Sequence, residues 1–359
     1  MLGVIGYWDR LSARPGDMPE LKVSVEDGSP NFRIELVRLI CGDDGPSGPG
    51  FKAESITSEI NGVRRGIRQA IPAGSYVHIP NLNSIRGDAI TLAALVMPTW
   101  IGKGARQCIL GRQHRSSKGI ALMMSASGCG GLWLHDGDKE AFVTSSAAMR
   151  EGSWYLLVAS FSASDGKIRI LQRPMGGHHR VERDVLEETS VDVRMPSLPA
   201  GAALIAAREH PTDGIVDHFD GRIEAPALYN GALESNRLSS LTHPFDIDLP
   251  AAGGWDFSRH IGSADIADVS GNGSHGRCIN LPTRAVTGHG WRGQTVDWRT
   301  RPDLYGAIHF HWDDLEDCAW KTDVTWPVPA DIRSGNYAAR LTTELGAEDF
   351  VPLFILPPK

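Results

Sequence analysis

The sequence predicts an all-β protein, and three observations carry that prediction. Glycine (40) and proline (22) are spread along all 359 residues rather than gathered into one linker. Between them lie short alternating or β-branched runs: FRIELVRLI, AITLAALVM, IALMMSA, WYLLVASFS, KIRILQRP, AALIAA, NYAARLTT and DFVPLFIL. Each has the length of a strand and is bounded by turn formers such as Asp-Gly, Gly-Gly or Pro. Helical periodicity, by contrast, is scarce. Its best instance is GALESNRLSSL, residues 231–241, where Leu233, Leu238 and Leu241 fall at roughly helical spacing. Many short strands without βαβ alternation predict antiparallel sandwiches.

The elements follow in chain order. From Met18 to Cys41, Val23 and Val25, then Phe32, Ile34 and Leu36, alternate as in an antiparallel hairpin. GSYVHIPNLNSIRGDAITLAALVMPTW, from Gly74, reads as strand, turn, strand. SWYLLVASFSASDGKIRILQRP is a hairpin turning at Asp165-Gly166, and HFDGRIEAPALYNGALESNRLSSL a strand followed by a short helix. From Cys318 onward, CAWKTDVTWPVPADIRSGNYAARLTTELGAEDFVPLFILP supplies three more strands separated by Pro and Gly. Neither chain end alone has enough strands for a sheet-on-sheet core, but together they do. The expected organisation is therefore a small immunoglobulin-like sandwich split by an insertion. Its first part is residues 1–73, the inserted domain is 74–290, and its second part is 291–359.

Within the insertion, HFDGRIEAPALYNGALESNRL resembles the closing motif of the laminin-G/concanavalin-like jelly roll, matched at Gly221, Ile223, Glu224, Tyr229, Ala232 and Leu233. It departs where that family often has Asp, which weakens any carry-over of a ligand site. WDFS…DVSGNGSHG…NLPT, residues 255–283, resembles the usual first strands of this jelly roll, yet here it follows the last ones. The order implied is a circular permutation, in which residues 252 to about 290 complete a sandwich begun at Gly74; termini of a compact sandwich lie near each other, so this is sterically allowed. An extra hairpin unrelated to the jelly roll is the alternative.

Composition narrows the partners. Apolar residues make up 41% and charged residues 22%, and 36 basic groups stand against 43 acidic ones, a net −7. That balance argues against non-specific nucleic-acid binding. Nowhere does an apolar run reach the length of a bilayer span, and MLGVIGYWDR lacks the basic and apolar regions of a secretory signal. The five cysteines (Cys41, Cys108, Cys129, Cys278 and Cys318) are odd in number, far apart and without a C-x-x-C pair. A reduced, cytoplasmic protein with structural thiols is expected.

Three stretches carry a wider resemblance: FRIELVRLICGDDGPSGPGFK, INLPTRAVTGHGW, and HFHWDDLEDCAWKTDVTWPVPADIRSGNYAARL. They resemble the N-terminal half of the large subunit of the N,N-dimethylformamidase family over nearly the whole chain. The resemblance implies a downstream α/β, amidotransferase-like catalytic domain that hydrolyses formamides to an amine and formate. It also implies a mononuclear iron held by two tyrosines and a glutamate of that domain, and a small helical second subunit. None of those iron ligands matches a residue of this chain. The expected role is thus a non-catalytic assembly part of a hetero-oligomer, either a separately encoded subunit or a fragment of a longer enzyme. A free-standing lectin-like module is the alternative, since jelly rolls can hold sugars on tryptophan faces, and Trp100, Trp133 and Trp154 are available.

The densest constellation is HFHWDDLED. In a strand His309 and His311 share a face, so with Asp313 and Asp314 a two-histidine, one-carboxylate metal site is conceivable; the plain alternative is a hydrogen-bonded loop. The expected partner surface comprises His309, His311, Trp312, Asp313, Asp314, Glu316, Asp317 and Trp320. Two tryptophans flank acidic residues there, on a segment too charged to lie wholly in a core. Elsewhere the signals are weaker. His178 and His179 read as a hairpin tip, and Asp43 and Asp44 as a Gly/Pro turn lacking calcium-loop spacing. GKGARQCILGR lacks the order of a nucleotide-binding loop, and no G-x-S-x-G elbow is present.

Overall fold

Alternation along the first strands sorts their side chains into a buried and an open face. The computed structural model describes residues 2–358 apart from 44, 84, 86, 115–116 and 177–182. In strand Asn31–Cys41, Phe32, Ile34 and Leu36 turn inward, and burying each contributes about 1.5–3 kcal/mol. This strand pairs antiparallel with Gly335–Thr343 near the other chain end, which pairs in turn with Glu348–Ile355. Lys52–Ser55 and Gly62–Arg65 also pair with it. A second sheet of Val4–Trp8, Glu20–Val25 and Val324–Thr325 shares the core, where Trp8, Leu21 and Val23 meet Phe32, Trp326, Leu341 and Leu353. The Trp8 indole N–H donates to the Val351 carbonyl at 3.0 Å. Residues 1–72 and 318–359 form this compact unit, and residues 73–317 form the other.

The larger unit is one long ribbon of strands folded over itself. One layer runs through Gly130–His135, Gly119–Met124, Gln107–Gln113, Gly201–Ile205, Tyr76–Leu82 and Gly276–Ile279. The other runs through Ala251–Asp256, Gly221–Asn230, Ala89–Pro98, Tyr155–Ser162, Lys167–Pro174 and Val185–Ser190. Between them sits the main core, in which Ile120, Leu122 and Leu134 of the first layer meet Leu92, Leu157, Phe161 and Ile170 of the second. The fold is all-β, and the chain's arrangement of sheets is that of β-sandwiches.

The stretch WDFS…DVSGNGSHG joins this sandwich. Ala251–Asp256 pairs with Gly221–Asn230, and Gly276–Ile279 with Tyr76–Leu82. Trp255 is fully buried and donates its indole N–H to the Ser274 carbonyl at 2.7 Å. The loop between closes around Asp268, whose carboxylate accepts the backbone N–H groups of Gly254, Ser270 and Ser274. Gly271 and Gly273 hold φ of +84° and +71° there, a region that favours glycine.

Four expectations need correction. The stretch from Met18 to Cys41 is not a hairpin, because Glu20–Val25 and Asn31–Cys41 go to different sheets and each pairs with strands from elsewhere in the chain. The helix over 231–241 shrinks to one turn, Ser235–Leu238. Its leucines are buried under the outer face of a sheet, so their spacing reflects packing of an irregular segment and not a longer helix. The junction placed between 290 and 291 falls between 317 and 318, because Ala307–Phe310 pairs with Gly221–Glu224 and with Thr283–Val286. Strands Gln107–Gln113 and Gly130–His135 had no place in the sequence reading. Glycines dilute their apolar pattern: a Cβ at Gly131 would come within 2.2 Å of the Val143 carbonyl oxygen, so close approach of the neighbouring strand demands glycine. Among the described residues no helix is long and apolar enough to cross a membrane, and none of the five cysteines is in a disulfide.

Candidate functional site

The HFHWDDLED segment is built from the end of a core strand. In Ala307–Phe310, Ile308 and Phe310 enter the main core, so alternation turns His309 to the opposite face. His311 follows on that face, and the two imidazole centroids lie 4.1 Å apart. His309 Nε2 is 3.4 Å from the Thr99 hydroxyl. Burial first, then His311 and Arg222, holds His309 at about 4, below the ordinary 6.5, against the opposing pull of Asp314. At neutral pH this imidazole is uncharged.

Two carboxylates fasten the segment to the larger unit. Asp314 Oδ2 accepts the Ser75 hydroxyl at 2.7 Å and lies 3.2 Å from His311 Nδ1. Asp220, almost fully buried, accepts the Trp312 N–H at 2.9 Å and the Lys103 ammonium at 2.9 Å. Lys103 also donates to the His218 carbonyl and stands 5.7 Å from the Trp312 ring centre. Held this way, Trp312 remains 46% exposed and faces Trp100, which is 42% exposed, at 6.2 Å between ring centres. Large half-open rings over a buried ion pair cost solvation on the apolar side and are composition expected of a contact surface.

The expected cluster is therefore brought together only in part. His309, His311, Trp312 and Asp314 are neighbours, and Asp313, Glu316 and Asp317 are exposed beside them. Trp320 is not an exposed flank. It is 6% exposed and belongs to the other unit, where its indole donates to the Ala70 carbonyl and its ring packs on Tyr7. Nor does Asp313 join the histidines: Asp314 is the carboxylate against His311, and Asp313 turns to solvent. Among the described residues no group of three or more His, Cys, Asp or Glu side chains could hold a metal.

Of the tryptophans considered as a sugar platform, only Trp100 is open. Trp133 is buried, donating to Glu140 at 2.7 Å beneath the Arg208 guanidinium, and Trp154 packs in a satellite core. Trp100 finds its companion in Trp312, more than two hundred residues on in sequence, a pairing that no local pattern signals. Lys103 and Asp220 were missed for the same reason. Asp43 accepts the Gly45 N–H as an ordinary turn; Asp44, His178 and His179 lie outside the described residues.

Comparison with known proteins adds the following. Residues 283–359 match the family described as N,N-dimethylformamidase beta subunit-like, C-terminal. The N,N-dimethylformamidase beta subunit of Paracoccus aminophilus is 31% identical over 379 aligned positions, covering 99% of this chain and 49% of that one. The beta subunit from an Alcaligenes species is 30% identical, covering 100% and 50%. Among solved structures, a pentraxin from Limulus polyphemus is similar at a TM-score of 0.36 and 14% identity, over 48% of this chain and 77% of that one. The chain is thus similar along essentially its whole length to N,N-dimethylformamidase beta subunits, and it spans about half the length of these relatives.

Proposed function

We propose that this chain is a non-catalytic assembly part of a dimethylformamidase-like amide hydrolase. Catalysis belongs, in this reading, to an iron-dependent, amidotransferase-like domain on another chain or segment, with a small helical subunit as a further partner. The observation that supports it is the 31% identity across 99% of the chain to a relative of about twice its length. The Trp100–Trp312 pair, rimmed by Asp313 and Glu316, is the docking face: apolar rings at the centre and carboxylates at the edge match the anatomy of protein contacts.

The test joins assembly with turnover. Native mass spectrometry of the protein taken from its own cells should show a co-purifying chain or segment that carries the catalytic domain. The assembled form should release formate from dimethylformamide, and this chain purified alone should not. Replacing Trp312 and Asp313 together by alanine should weaken assembly at least tenfold while the β signature in circular dichroism is unchanged. Asp314 is left intact because it ties Ser75 and His311. Turnover by the single purified chain, or unchanged assembly of the double variant, overturns the reading.

A further inference from the structure

Arg112 breaks the alternation of its strand. In Gln107–Gln113 it stands directly across from Ile120, which stands across from Leu134. Cross-strand partners share a face, and both Ile120 and Leu134 are fully buried in the main core. Arg112 therefore occupies an inward position, where the pattern calls for an apolar side chain, and it is only 4% exposed. Its strand lies between Gly119–Met124 and Gly201–Ile205, so an inward charge is not serving to blunt a sheet edge.

A buried guanidinium normally has a carboxylate beside it. Among the described residues Arg112 has none. Its one hydrogen bond runs from Nη1 to the Asn83 carbonyl at 2.8 Å, which leaves most of its five donors unassigned. Burial alone pulls the guanidinium down to about 10. Arg112 lines a cavity of about 270 Å³ together with the segment 198–202, Gln113, His114 and Glu209. Gly201 faces the guanidinium: a Cβ there would stand 3.6 Å from Arg112 Nη2, in ordinary contact.

We propose that this cavity is a binding site for a small monocarboxylate, with the Arg112 guanidinium as its anchor. The planar fork matches a carboxylate through two parallel hydrogen bonds. One buried positive charge balances one negative charge, and Glu209 on the wall disfavours a dianion such as phosphate or sulfate. Leu198 and Pro199 supply apolar contact for the body of the ligand. A dry cavity of about 150 Å³ holds benzene, so this one accommodates a molecule of about ten heavy atoms. A charge kept at an apolar position without a carboxylate partner marks a functional site rather than a stabilising one. The site does not depend on the proposed role in an amide hydrolase.

The experiment follows thermal melting and isothermal titration with sodium propionate and sodium benzoate, against sodium sulfate and sodium phosphate at matched ionic strength. The protein should show a saturable rise in Tm with the carboxylates and none with the dianions. Arg112→Met, which keeps the apolar stem, should bind the carboxylates at least tenfold more weakly and melt no lower than the unsubstituted protein without ligand. A response within twofold in Arg112→Met, an equal response to sulfate or phosphate, or no saturable response to any carboxylate overturns the proposal. Where Arg112→Met folds but melts far lower without ligand, Gly201→Val decides the matter as it does for a variant that does not fold. Should Arg112→Met fail to fold, Gly201→Val narrows the cavity and keeps the guanidinium. Loss of the carboxylate response in that variant supports the site, and its persistence overturns it.

Discussion

At the scale of single residues, buried polar groups decide most of what can be tested. His309 is held at about 4 against an ordinary 6.5. As pH falls between those values the unfolded chain takes up a proton that the folded chain refuses, so stability falls through that window. In His309→Gln this contribution disappears, and unfolding free energy plotted from pH 7 to 4 should slope less steeply than for the unsubstituted protein. The histidines at 218 and 243, also depressed by burial, remain in both and cancel in the difference. Asp268 poses the complementary case. Burial pushes its carboxyl up, yet hydrogen bonds from Ser270, Ser274 and Gly254 outweigh that and leave it below the ordinary range. Asp268→Ala orphans those three N–H groups and should cost about 1–3 kcal/mol per group left unpaired, less where water reaches them, read by urea unfolding at pH 7. The sequence showed Asp268 only within a stretch that resembles the first strands of a jelly roll. That three amides converge on it depended on the folded loop.

At the scale of elements, periodicity was a sound guide wherever apolar residues filled a strand. Each of the eight runs from FRIELVRLI to DFVPLFIL forms a strand, four of them overrunning its end by one or two residues, and the hairpin between Tyr155–Ser162 and Lys167–Pro174 turns through Asp165-Gly166, with Gly166 at φ +66°. Periodicity failed where glycine replaced the apolar residue. In Gly130–His135 the outward neighbour of Gly131 is a strand whose Val143 carbonyl leaves no room for a side chain. Gly131→Ala should therefore force the two strands apart and destabilise by about 1–3 kcal/mol. Amide exchange should speed up first in Gly130–His135 and Glu140–Thr144. The helix over 231–241 failed for another reason. Its leucines satisfy an outer packing face without the backbone hydrogen bonds that several helical turns require.

At the scale of the whole molecule, the smaller unit is made from both chain ends. Gly335–Thr343 is its central strand, flanked by Asn31–Cys41 and Glu348–Ile355. A chain ending at residue 317 should consequently lose exchange protection throughout Asn31–Cys41 and become open to proteolysis there; retained protection would contradict this pairing. Composition and alternation determined by themselves that the protein is all-β, that Val23, Val25, Phe32, Ile34 and Leu36 face a core, and that the chain ends need one another for enough strands. Those properties are local or additive, because side chains of a strand alternate whatever lies across from them. Only the tertiary structure decided that Trp100 meets Trp312, that Asp314 rather than Asp313 engages His311, that Trp320 is buried in the other unit, and that Arg112 stands inward without a counterion among the described residues. Each depends on which strands become neighbours and in what register, and a register is set by packing across the sheet, between residues that the sequence keeps far apart.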